Sequence, residues 1–356
     1  MPEKNLQPSS KPVAIWLLVG VGMIIIQVVL GGITRLTGSG LSITEWDVIT
    51  GSLPPLNHQQ WLAAFDKYRQ TPQFNLLNFD FTLQDFKFIF FWEWFHRLWA
   101  RLIGLVFAVP FIIFLLQRRF KPGMIRPMLI LFLLGALQGV VGWIMVASGL
   151  TGDAVYVAPV RLALHFILAL GLLSYTFWFA LQLMTGKDKF IIDTGTRSIA
   201  VTGIFILVIQ LFFGALMAGY KAATAAPTWP DINGHLIPSG LFSLPAGFMN
   251  LFQNKITIHF IHRSLAYILL LLVIGLSYRL FRSRYRSSVL KKTWPLPLLL
   301  ILIQVVLGIL SVLTSPQIVP GQWGVFEWLA QLHQLSALFL LLSLIWTFFL
   351  FRKKVN

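Results

Sequence analysis

The sequence predicts an all-α membrane protein with eight transmembrane helices, arranged as two tandem, pseudo-symmetric four-helix bundles with both termini inside. Three observations carry this expectation. Of 356 residues, 57% are hydrophobic and only 11% charged, less than half the charge of an ordinary soluble domain. The apolar residues gather in runs near the ~20 residues that a bilayer crossing takes. Histidines recur at matching places in the two halves of the chain.

The runs fall at roughly 13–33, 88–116, 128–147, 161–184, 199–218, 256–277, 294–313 and 328–351. Lys and Arg then set the sidedness, because cytoplasmic connectors keep the positive charge. The N-tail carries Lys4 and Lys11, the 2–3 connector Arg118, Arg119, Lys121 and Arg126, and the 4–5 connector Lys187, Lys189 and Arg197. The 6–7 connector adds Arg279, Arg282, Arg284, Arg286, Lys291 and Lys292, and the C-tail Arg352, Lys353 and Lys354. All of these lie on one side, which is read as the cytoplasm. On the other side, the connectors after spans 1 and 5 (34–87 and 219–255) are long and contain Trp46, Trp61, Phe65, Phe74 and Phe79. Long aromatic loops of this kind commonly cover or gate a site.

Composition also excludes whole classes of function. The net charge of +16 sits in short tails and connectors, so it fits anionic lipid and membrane orientation and not nucleic acid. The chain has no cysteine, which rules out disulfides, iron–sulfur clusters, thiolate metal sites and covalent haem attachment. The N-terminal MPEKNLQPSSKP reads neither as a transit peptide nor as a cleavable signal, so the bacterial cytoplasmic (inner) membrane is the expected location.

An internal repeat divides the chain into 1–190 and 191–356. Spans 1, 3, 5 and 7 each carry Gln-x-x-x-Gly: Gln27/Gly31, Gln138/Gly142, Gln210/Gly214 and Gln304/Gly308. A four-residue step puts both on one helix face; close helix packing is the plain reading, with the glycines also able to receive a flat ligand. Spans 2, 4, 6 and 8 each carry a histidine near the outer end: His96, His165, His262 and His333. The pairs are 69 and 71 residues apart, and His96 and His262 are both followed by arginine. Trp46 and Trp229 each stand fifteen residues past the glycine of the preceding span.

One histidine in a span is usually a hydrogen-bonding residue. Four, paired by a repeat at one depth, point to metal or haem ligation. Two histidines per half, with no thiolate, suit axial ligation of haem iron better than tetrahedral zinc. Arg97, Arg101, Arg161 and Arg263 at the outer end could pair haem propionates or snorkel to headgroups. Three residues before His96 stands Glu93, whereas His259 holds that place before His262. Glu93 is the candidate proton donor or acceptor, although a helix-start glutamate is the bland alternative. His259 is open between a partner of the ligand and a surface group. His58 and His235, in the loops, are ordinary.

GGITRLTGSGLSITEWD (31–47), FDFTLQDFKFIFFWEWFHRLWARLIG (79–104) and IHFIHRSLAY (258–267) resemble the haem A synthase family, in the subfamily shared by mitochondria and Gram-negative bacteria. The resemblance implies an oxidoreductase that converts haem O to haem A by oxidising a ring methyl to formyl. It further implies that His262 and His333 hold a resident haem b, that His96 and His165 flank the haem O substrate, and that Glu93 is functional. A haem O synthase, cytochrome oxidase assembly factors and a homo-oligomer are the partners it suggests besides lipid. Relatives with cysteine pairs in the outer loops find no counterpart here. Two rivals remain at this point, a di-haem b-type electron-transfer cytochrome and a secondary transporter. The shared outer depth of the four histidines speaks against the first, and the lack of midplane charge against the second.

Overall fold

A computed structural model describes residues 11–46, 50–245 and 247–352. Glu3, Lys4, Asp47, Lys353 and Lys354 lie outside the described residues. Among the described residues, eight helices are long and apolar enough to cross a membrane: α1 (Lys11–Leu36), α2 (Leu83–Leu116), α3 (Ile125–Ala147), α4 (Pro159–Met184), α5 (Thr194–Gly219), α6 (Lys255–Ser283), α7 (Leu296–Thr314) and α8 (Val325–Leu350).

The helices begin where the sequence supplies caps. Thr82 and Asp85 form a reciprocal capping box that starts α2 five residues before the apolar run read from sequence, satisfying amide groups the first turn would otherwise orphan. Asp193 caps α5 by accepting from the Thr196 amide, and Asn254 caps α6 by accepting from Ile256 and Thr257. Pro159 opens α4 at its first turn, where its missing N–H is harmless. Pro110 stands inside α2 without ending it, as spanning helices allow.

α1 packs on α2 and α4, and α3 on α4; α5 packs on α6 and α8, and α7 on both α6 and α8. The two sets meet along α4–α5, α1–α8 and α4–α8. This seam is polar as well as apolar. Gln334 Nε2 donates to the Val28 carbonyl (2.9 Å) and Gln331 Nε2 to that of Val29 (3.3 Å). A Cβ at Gly32 would collide with the Gln331 side chain. At the other end, Ile191–Ile192 pairs in parallel with Phe351–Arg352, and Arg197 donates to the carbonyls of Phe348 and Phe351.

The first long connector is ordered. It forms helices His58–Arg69 and Pro72–Leu77, which bury Phe65 and Tyr68 against Phe86 and Phe90 of α2, with Trp61 and Phe74 beside them. Edge-on and stacked ring pairs join this cluster, a geometry aromatic quadrupoles favour. Burial pushes the Tyr68 hydroxyl up to about 12. The expected cover over the outer end of α2 is therefore a packed subdomain.

Candidate functional site

The four expected histidines occupy four versions of one seat. Gly31 faces His96, Gly142 faces His165, Gly214 faces His262 and Gly308 faces His333. A Cβ at these glycines would stand 3.2, 2.9, 3.1 and 2.9 Å from the respective ring Cε1. The glutamine one turn earlier brings its amide nitrogen to ring Nε2 in each case: Gln27 at 3.2 Å, Gln138 at 3.3 Å, Gln210 at 3.4 Å and Gln304 at 3.3 Å. The Gln-x-x-x-Gly stripe thus does pack helices, and what it packs is the histidine. The glycines receive imidazole rings, which takes the place of the expected contact with a porphyrin plane.

The rings then lie in two pairs. His262 and His333 have ring centres 6.4 Å apart and planes at 72°, and His96 and His165 stand on α2 and α4, both of which pack on α1. An iron taking one imidazole nitrogen from each side at about 2 Å leaves ring centres about 6 Å apart, so the second pair fits axial ligation. The hydrogen bonds agree. His333 Nδ1–H donates to the Gln304 carbonyl at 3.0 Å, which fixes the tautomer with its lone pair on Nε2. Ser336 in turn donates to the Gln304 side-chain oxygen. Nδ1 of His165 and of His262 are buried without a protein partner. Among the described residues, no three His, Asp or Glu side chains gather as a metal-ion site.

Glu93 is 2% exposed and fully engaged. Its Oε2 accepts from Ser42 Oγ (2.7 Å) and the Ile43 amide (2.8 Å), and its Oε1 from Arg97 (2.6 Å). Arg97 also donates to the carbonyls of Ile43 and Glu45 and lies over the Trp46 ring. Arg263 does the same on the other half, donating to Ala226, Thr228 and Asp231 carbonyls. Arg97 and Arg263, the expected propionate partners, each hold a loop with N–H groups of a guanidinium that has five. Arg161 reaches the Ile144 carbonyl across α3 and α4. Arg101 lies one turn beyond Arg97, partly buried.

His259 is 0% exposed, which settles it as an interior group. His58 and His235 are exposed. A cavity of about 200 Å³ lies between the first outer loop and the end of α3, lined by Glu45, Trp46, Arg97, Trp143 and Leu150 among others. Arg97 and Trp143 in this lining directly follow His96 and Gly142 in the chain. Sequence reading missed Ser42, whose role depends on a loop returning to α2. It also undervalued the four glutamines, although their fourfold spacing was the available signal.

These features define a multi-pass helical membrane protein with paired, glycine-seated histidines near one end of its helices. The model of the COX15–CtaA family, cytochrome oxidase assembly protein, matches residues 14–345. Relatives include the haem A synthase of Parvibaculum lavamentivorans, 45% identical over 73% of this chain and 75% of that protein. That of a Bradyrhizobium species is 42% identical over 92% and 88%, and that of Novosphingobium aromaticivorans 39% over 97% of each. The chain belongs to the COX15–CtaA family of cytochrome oxidase assembly proteins.

Proposed function

We propose that this protein is a haem A synthase, an oxidoreductase that converts a ring methyl of haem O to the formyl of haem A for respiratory oxidases. The observation that carries the reading is the pairing of His262 with His333 at a spacing suited to axial iron, joined to full-length similarity with haem A synthases. Residues 1–190 and 191–356 act as two units. His262 and His333 hold a resident haem b, whose filled coordination supplies one-electron chemistry when bound. His96 and His165 flank haem O in the first unit.

The chain's own contribution is positioning. The glycine seats set ring depth, and the glutamine amides hold each ring on its Nε2 side until the ligand takes that lone pair. Glu93 and Arg97 hold residues 42–46 over the outer edge of the first pair, and Arg263 holds 226–231 over the second. Arg97, Arg101, Arg161 and Arg263 stand at this end of the helices as the cations for the carboxylate edge of a bound porphyrin. Glu93 stands as the carboxylate nearest the substrate site, with its charge balanced by Arg97. The same reading places the protein in the bacterial cytoplasmic membrane with both termini inside, working with a haem O synthase and oxidase assembly factors.

The test is the haem complement of the purified chain, expressed with and without haem O synthase. Haem b in both preparations, with haem O or haem A only where the haem O synthase is present, is the expected result. Haem b alone in both would make the protein a di-haem electron carrier instead.

A further inference from the structure

We propose that His259 is a binding residue for the porphyrin of the second half, donating a ring N–H to the porphyrin's carboxylate edge. This rests on the resident-haem reading above and adds a residue that neither the ligand pair nor the arginines account for. His259 is 0% exposed, and neither Nδ1 nor Nε2 has a protein partner. A neutral imidazole carries one donor and one acceptor, and interiors seldom leave both unused. The unmet groups point to something bound beside them.

The position says what that is. His259, His262 and Arg263 stand at i, i+3 and i+4 on α6 and share a face. α6 starts just after the Asn254 cap, so His259 lies one turn nearer that end than the proposed iron ligand, and a haem whose carboxylate edge turned to that end would meet it. Arg263 gives three of its five N–H groups to loop carbonyls, so a second donor on this face adds to what it can offer a carboxylate.

The matched position in the first half shows that the vacancy is not a property of the fold. Glu93, His96 and Arg97 have the same spacing, yet Glu93 is met by Ser42, Ile43 and Arg97. In the first half the outer loop satisfies this position; in the second it does not, and a ligand carboxylate completes it.

The experiment uses the full chain purified with its haem b. His259→Phe keeps the volume and removes the donor, whereas His259→Gln keeps an N–H. Two readouts apply: the rate at which haem b passes to excess apomyoglobin, and the propionate carboxyl band in redox-induced infrared difference spectra. His259→Phe should release haem about ten-fold faster, as loss of one charge-assisted hydrogen bond implies, and should shift the band. His259→Gln should stay within about three-fold in release while still shifting the band. Native release and a native band in His259→Phe overturn the proposal. If that variant does not fold, an unshifted band in His259→Gln does so. His262→Ala separates the two levels of argument: full retention of haem b there sinks the resident-haem reading itself, whereas its loss beside an unchanged His259→Phe sinks only the role given to His259.

Discussion

The two halves carry two like seats each and enclose them differently. In the second half α6 and α7 run against each other, and α6 buries Thr257 to His259 at its start and further residues from Leu269 to Ser283. In the first half α2 and α3 hardly approach each other's backbones. They meet through rings such as Phe107 and Phe132. Beyond Glu93, no residue of α2 is buried, and α3 buries only Met128 and Leu131. The largest apolar core joins α4–α8 with part of α1. Like histidine seats in unequal enclosures suggest where to look for any difference in how the halves hold a bound group: in the packing around the histidines.

The largest effect should come from exchanging ligands between the halves. His333→Ala is expected to strip nearly all haem b from the purified protein. His165→Ala should leave haem b content and its visible spectrum unchanged while abolishing haem A in a pigment extract. Equal haem b loss from both variants would erase the functional difference between the halves.

Second is Glu93→Ala. It leaves the Arg97 guanidinium, 13% exposed at its side chain, facing loop carbonyls without its counter-ion, and frees Ser42 and the Ile43 amide. Breaking one side of a buried pair costs about 3–5 kcal/mol. We expect loosening confined to residues 42–46, read as faster amide exchange there, together with loss of haem A and retention of haem b. Glu93→Gln, which keeps acceptor oxygen but not charge, should restore much of the loop's protection without restoring haem A.

How much of this was legible beforehand follows from range. The eight spans, the histidine pairs and the glutamine–glycine stripe are periodic signals, and each survives as a structural fact. Span starts shifted where a cap, such as Thr82 with Asp85, extended a helix into polar sequence. The loop contacts of the arginines were not legible, because position along a helix shows depth but not partner. Arg97 and Arg263 are claimed by carbonyls of loops more than thirty residues away. Ser42 and the full burial of His259 depend on the same long-range folding of loops, so no local pattern announced them.

Third, the seats themselves can be compared by alanine. At Gly308 and Gly142 a Cβ falls 2.9 Å from the ring, against 3.2 Å at Gly31 and 3.1 Å at Gly214. Overpacking of this order costs about 1–3 kcal/mol where the neighbour cannot move. Gly308→Ala, in the tighter enclosure, should therefore lower haem b affinity by about ten-fold or more. Gly31→Ala, where α2 has room to shift, should change substrate-haem binding by less than that. Titration with haem in detergent reads both, and a larger effect at Gly31 would contradict the enclosure argument.

The smallest effect lies at the inner end of the better-packed half. Burial alone would raise the Asp193 carboxyl, but the Thr196 amide and hydroxyl and Arg279 outweigh it and hold it below the usual carboxylate range. A carboxylate depressed in this way contributes stability that is complete above its unfolded value of about 4 and disappears as pH falls through the folded value. Arg279 is 43% exposed at its side chain, so the ion pair itself adds little; the helix cap is the larger part, about 1 kcal/mol. Asp193→Ala should lower the thermal midpoint of the detergent-solubilised protein at neutral pH and flatten its fall between about pH 5 and pH 3. Because Asp193 starts α5 and Arg279 lies on α6, the lost protection should appear in α5 and α6 and leave α2 and α3 as they were. A change confined to the first half would mean that the two units do not respond separately.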